Sequence, residues 1–262
     1  MKGLIAFFVS AIAICAQAQN IKQPKNGFDL HPFDVTQGKL PIGYKGHDCR
    51  SIAAKIKKIN LKKDDLETTA EYDLRMSSVS NLALTSSLTA GDLVAFKRGG
   101  YLEPNVKYLA DDRLLYVEAK PMTHRMVVGE NILTWDNINI FSNKDKNYRA
   151  ANAYGTTVTV TRTDIETCAV AFTNITRGPL DTINVVVSDA PVELARRAKA
   201  GVSFFYIGKL EKPFVATVYE TRTPKINDPF EVNWRGDALV VKLMHAWVVE
   251  NKTGEILGTQ DF

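Results

Sequence analysis

The sequence predicts an α+β fold, mainly antiparallel β, with two N-terminal helices and one helix near residues 190–200. Apolar residues at helical spacing, each run preceded by capping side chains, occur twice between Asp48 and Ser80. From about Leu82 the period shortens, and β-branched and aromatic residues fill short segments between turn-prone polar runs. A single later segment, opened by Asp189 and Pro191 and closed by Gly201, returns to helical character.

Met1 and Lys2 supply a positive start, and residues 4–15 (LIAFFVSAIAIC) are almost wholly apolar. Ala16-Gln17-Ala18 follows as an A-x-A site, so residues 1–18 read as a signal peptide cleaved between Ala18 and Gln19. Twelve residues rise about 18 Å as a helix, short of a roughly 30 Å hydrocarbon core, which argues against an anchor. Lipid attachment at Cys15 wants a small residue before it, and Ile14 stands there. No later stretch reaches eighteen uncharged apolar residues, so the mature chain is expected to have no transmembrane segment. The expected location is the periplasm, with the medium as the alternative.

Residues 19–46, rich in proline and glycine, form an irregular lead-in. Residues 47–178 hold helices plus a β region. Asp48 caps a first helix whose Ile52, Ile56 and Ile59 share a face, and Thr68 with Glu71 forms a capping box for a second. Segments 92–98, 106–108, 114–119 and 132–141 read as strands, and 142–147 as a polar loop. Segments 154–162 and 165–173 read as a hairpin. Residues 179–262 read as a compact β-rich C-terminal unit, although 47–262 also reads as one continuous domain.

Forty-five per cent hydrophobic and 24% charged residues mark a globular chain. A formal +4, spread along the sequence, is not the basic footprint of a nucleic-acid binder. Phosphate-binding glycine loops, zinc spacings, the G-x-S-x-G elbow and the S-x-x-K element are missing from the sequence, so no cofactor and no metal is expected. Asn143, Asp145 and Asn147 alternate as in calcium loops but lack the glycine and closing glutamate. His245 is the candidate catalytic base: strand parity places it with Leu239, Val241, Leu243, Trp247 and Val249, where a buried structural histidine is the competing reading. The mature chain keeps two cysteines, Cys49 and Cys168, which either form a disulfide or stay as separate buried thiols.

Lys63-Asp64-Asp65-Leu66-Glu67-Thr68-Thr69-Ala70-Glu71-Tyr72 with Arg75 resembles the "KGEFETTAEYxxR" segment of a family of uncharacterised exported bacterial proteins. Tyr108-Leu109-Ala110-Asp111-Asp112 is similar to that family's later "YDAD" stretch, without its first acidic residue. The resemblance implies an exported protein of mixed α/β structure and transfers no catalytic residue. The expected function is therefore that of a soluble exported envelope protein, non-catalytic, binding an envelope protein or a small ligand. A periplasmic hydrolase with a site assembled in space, and a structural subunit of a surface or secretion assembly, are the alternatives. N-terminal sequencing of the exported protein is expected to begin at Gln19; an intact Met1 on that protein would refute the cleavage.

Overall fold

The computed structural model describes residues 27–99, 103–128, 131–151, 154–175 and 182–262. The signal peptide with its Ala18–Gln19 cut, and the boundary near 178, lie outside the described residues. The described residues form ten strands: β1 (Leu93–Lys97), β2 (Asn105–Leu109), β3 (Leu114–Ala119), β4 (Met122–Val128), β5 (Asn131–Ala151), β6 (Thr157–Phe172), β7 (Ile183–Val187), β8 (Val202–Arg222), β9 (Phe230–Glu250) and β10 (Ile256–Asp261). The helices are α1 (Cys49–Ile56), α2 (Thr69–Ser77) and α3 (Val192–Ala200). The first two helix starts follow their capping chemistry, whereas α3 begins after Pro191 with no side-chain cap, so the Asp189 cap is not formed. Asp48 accepts from the Arg50 and Ser51 amides, and the reciprocal Thr68–Glu71 box is formed.

The α+β expectation is corrected: 52% of the described residues are strand and 14% helix, so the protein is mostly β. The larger sheet, ordered β1-β8-β9-β6-β5-β4 with β10 also on β9, is mixed rather than antiparallel, because β6 and β9 run parallel. The smaller sheet is β2-β3-β7. The excess strand comes from segments whose polarity resembles loops. Residues 142–147 continue β5, and the expected hairpin of 154–162 with 165–173 is one strand, β6, paired along its length with β5. One face of these long strands is polar and open, so apolar periodicity fails to report them.

The main core lies between the two sheets and under the first two helices, around Phe96, Leu115, Val170, Phe172, Phe204 and Val241. A second core occupies the opposite face of the large sheet, which curls until β4 meets β8. Trp135 and Trp234 are packed there with Ala169, Ala171, Ala216 and Ala238, whose small side chains permit tight curling. The lead-in lies over a third cluster, where the Phe33 and Trp247 rings meet edge-on with centroids 5.0 Å apart. Two glycines allow close backbone approach. A Cβ on Gly99 would stand 1.9 Å from the Ile138 carbonyl, and one on Gly236 (φ +156°) 1.8 Å from that of Thr167.

Charge is buried where the sheet's two ends converge. Beyond β1, Arg98 directs Nε to Asp136 Oδ2 on β5 at 2.6 Å, and the Tyr206 hydroxyl of β8 donates to the same oxygen at 2.5 Å. Arg98 Nη2 also donates to the Lys120 carbonyl at 2.7 Å. Burial pushes the Asp136 carboxyl above its usual range, with Arg98 pulling against that shift. Arg98→Ala would leave this carboxylate without its cation, and a loss of roughly 3–5 kcal/mol is expected in denaturant titration. An unchanged midpoint would show that the pair does not hold the strands together.

Candidate functional site

Beyond the core, β5, β6, β8 and β9 project a polar face into solvent. On β5 it carries Ser142, Lys144, Lys146 and Tyr148; on β6, Arg162, Asp164 and Glu166; on β9, Glu231, Asn233, Arg235 and Asp237. Alternation along each strand and in-register pairing across strands bring these side chains to one side. Lys144 stands opposite Asp164, which stands opposite Asn233; Ser142, Glu166 and Arg235 form the next row. They bound a groove of about 620 Å³, within the range of small-ligand sites.

The carboxylates of this face are already engaged. Asp164 accepts from Arg162 Nε at 2.9 Å and Asn233 Nδ2 at 3.0 Å, and these bonds hold its pKa below the usual carboxylate value. Glu231 accepts from the Tyr148 hydroxyl at 2.6 Å and from Asn233 at 3.1 Å, and lies 3.5 Å from Arg162; its pKa is likewise lowered. The other two are met by α1 and its C-cap: Arg50 reaches Glu166 at 3.2 Å and Lys57, just past the helix, reaches Asp237 at 2.7 Å. Among the described residues, Lys144, Lys146 and Arg235 have no carboxylate within 4.0 Å. Arg235 instead lies over the exposed Tyr219 ring, 5.7 Å from its centroid.

α1 is fixed over this face covalently. Cys49 at its first turn and Cys168 on β6 form a disulfide, with Cα atoms 6.1 Å apart and sulfurs at 1.96 Å. Of the two readings open at the level of sequence, the bridge is the one present. Such a bond belongs to an oxidising compartment and places the protein outside the reducing cytoplasm. No described helix is long and apolar enough to cross a membrane.

His245 is distant from the groove and differs from its expected setting. Ile207 pairs with His245 and Gly208 with Leu243, so Met244 is an extra residue that inverts parity along β9. Leu239, Val241 and Leu243 face the main core, whereas His245 shares the other face with Trp247 and Val249. Its side chain is one-quarter exposed and Nδ1 lies 2.6 Å from the open Asp261 carboxylate of β10. His47 is enclosed: Nδ1 accepts from the Ala95 amide at 2.9 Å and Nε2 donates to the His31 carbonyl at 2.8 Å. It borders a second cavity of about 400 Å³ with Leu30, Ile52, Leu84 and Leu88, where the polar side chains bond to the protein itself. No group of three or more metal-ligating side chains exists among the described residues.

None of the groove residues was a sequence candidate. Their signal was present: 142–147 alternates polar side chains with period two, and the calcium-like Asn143, Asp145 and Asn147 are the opposite face of that strand. Asp145 accepts from Thr163 Oγ1 at 2.7 Å on that other side. Fold and face together define a disulfide-linked β protein presenting a polar sheet surface with excess cations. Comparison with protein-family models, curated proteins and solved structures gives no match.

The bridge spans 119 residues of sequence, a loop for which the chain-entropy account gives about 5 kcal/mol. Cys49→Ala with Cys168→Ala is expected to lower the denaturation midpoint correspondingly. Intact mass should rise by about two hydrogens on reduction of the native protein. Two thiols reacting freely in the unreduced, denatured protein would refute the bridge.

Proposed function

We propose that the protein is exported to the periplasm and acts there as a non-catalytic binding or accessory protein, engaging an envelope component through the polar face of β5, β6, β8 and β9. The observation that carries this reading is the groove itself. It combines engaged carboxylates with three cations, Lys144, Lys146 and Arg235, that have no carboxylate within 4.0 Å among the described residues, an arrangement that favours an incoming partner. The disulfide supports export, as does the A-x-A cleavage site.

Site-specific photo-crosslinking in whole cells tests the reading. A crosslinking side chain replacing the exposed Tyr219 sits on the groove face, whereas one replacing the half-exposed Val192 sits at the start of α3. α3 joins the far end of β9 through Arg197 and Glu250, 15 residues along the strand from Arg235. The expected result is a discrete periplasmic adduct from position 219 and none from 192. Equal adducts from both, or none from 219, would overturn the proposal.

A further inference from the structure

We infer that two copies of this chain join edge to edge along β5, antiparallel about a two-fold axis at Asn147, so that their large sheets become one. The inference goes beyond the groove reading and does not depend on it. An open sheet edge is the first support. β4 pairs with β5 only within residues 131–135, and the Asn137 carbonyl is met by the Gly99 amide. Further along, residues 144–149 are exposed and pair with β6 on one side, and no described strand lies on the other. A free edge of this kind is a template for a further strand.

Backbone direction is the second. The Thr161 amide donates to the Pro229 carbonyl at 2.9 Å, so Thr161 turns its peptide groups toward β9 and away from β5. Strand residues alternate in this respect, so Thr159 and Thr163 turn away from β5 as well. Arg149, Asn147 and Asp145 stand opposite these three threonines. They occupy the non-hydrogen-bonded positions of the β5–β6 ladder, and their N–H and C=O groups point out to the open edge. Asn137, opposite Ala169, is oriented the same way, and its carbonyl accepts from the Gly99 amide at 3.2 Å.

Side chains then choose the partner. With Asn147 opposite Asn147 of the second copy, Asp145 meets Arg149 and Arg149 meets Asp145, an ion pair on each side of the axis. Lys146 meets Tyr148 of the second copy, where a cation beside a ring is favourable, and Lys144 meets Ala150. Registers centred on Asp145, Lys146 or Arg149 set like charges against each other, and one centred on Tyr148 forms no ion pair. Lysines on an edge deter strands at large. In the Asn147 register they meet no cation, so the edge discriminates in favour of its own copy. The contact is isologous and closes on itself, because both copies use the same residues.

Sedimentation velocity on the mature protein from about 1 μM to 1 mM, the range in which a short interface associates, tests the inference. Wild type should pass from monomer to dimer. Asp145→Arg and Arg149→Asp each set like charges together on both sides of the axis and should weaken the dimer by roughly tenfold or more. Combined, they restore the pairs with signs exchanged and should return the dimerisation constant to within about threefold of wild type. Both are exposed positions, and an unchanged thermal midpoint shows that each variant is folded. Asn147→Cys brings two thiols opposite each other, with α-carbons about 5.5 Å apart, and should give a covalent dimer on oxidation. Asp145→Cys leaves its thiols about 13 Å apart along the strand and should not. A wild type that stays monomeric throughout, a dimer indifferent to the single substitutions, a double variant no better than the singles, or equal linking from 145 and 147 would overturn the self-pairing. None of these outcomes alters the crosslink expected at position 219, so the two readings fail separately.

Discussion

Asp136 sits on β5, Arg98 just past β1 and Tyr206 on β8, so one carboxylate oxygen joins strands from the two sides of the large sheet. An open sheet has no reason to bring β1 near β5; here the Gly99 amide donates to the Asn137 carbonyl at 3.2 Å. The convergence requires a backbone without a side chain at Gly99 and a buried charge that is fully met. Removing ions from water is costly, and this pair repays it only because Tyr206 and the Lys120 carbonyl complete the hydrogen bonding. What the network secures is therefore geometry: the curled sheet, with one core inside the curl and another between the sheets, depends on its ends staying together.

The polar face follows from how β9 is shared. Its first half takes β6 as a parallel neighbour, and its second half takes β10 on the same edge, while β8 runs along the other. Gly236 permits the close contact with Thr167 that the parallel register demands. Bulges then decide which residues face where. Met244 inverts the second half of β9 and sends His245 away from the main core, and an irregularity at Phe141 restores the β5 register ahead of Lys144.

Local chemistry was legible, and long-range pairing was not. Asp48, Thr68 and Glu71 state their roles within three residues, and all three caps are present as expected. The hairpin between β9 and β10 is likewise written in its turn residues, Asn251-Lys252-Thr253-Gly254, which separate two β-prone runs. Residues 142–147 read as a loop because their neighbours across the sheet, Arg162, Asp164 and Glu166, are polar too. A strand stabilised by cross-strand ion pairs and ladder bonds carries no apolar stripe, so its only sequence trace is alternation among polar types. Parallel pairing of β6 with β9, some 70 residues away, leaves no local trace. The groove was invisible because it exists only when those strands are adjacent. The two cysteines were visible, but their proximity depends on the same pairing.

The disulfide does more than shorten the unfolded chain. α1 and its C-cap contribute Arg50 and Lys57 to the polar face, and these two residues neutralise Glu166 and Asp237. With α1 removed, the strands alone would present Lys144, Lys146, Arg162 and Arg235 against Asp164, Glu166, Glu231 and Asp237, equal numbers of each sign. With α1 in place the balance moves to positive. Exposed ion pairs of this kind contribute little individually, so they cannot by themselves hold a helix of 8 residues on a charged surface. Burial of Ile52, Ala53 and Ile56 supplies one anchor, and the bond from Cys49 to Cys168 supplies the other, two residues along β6 from Glu166. The net charge of the groove is thus set by a helix from another part of the chain, and the disulfide is what keeps that helix there.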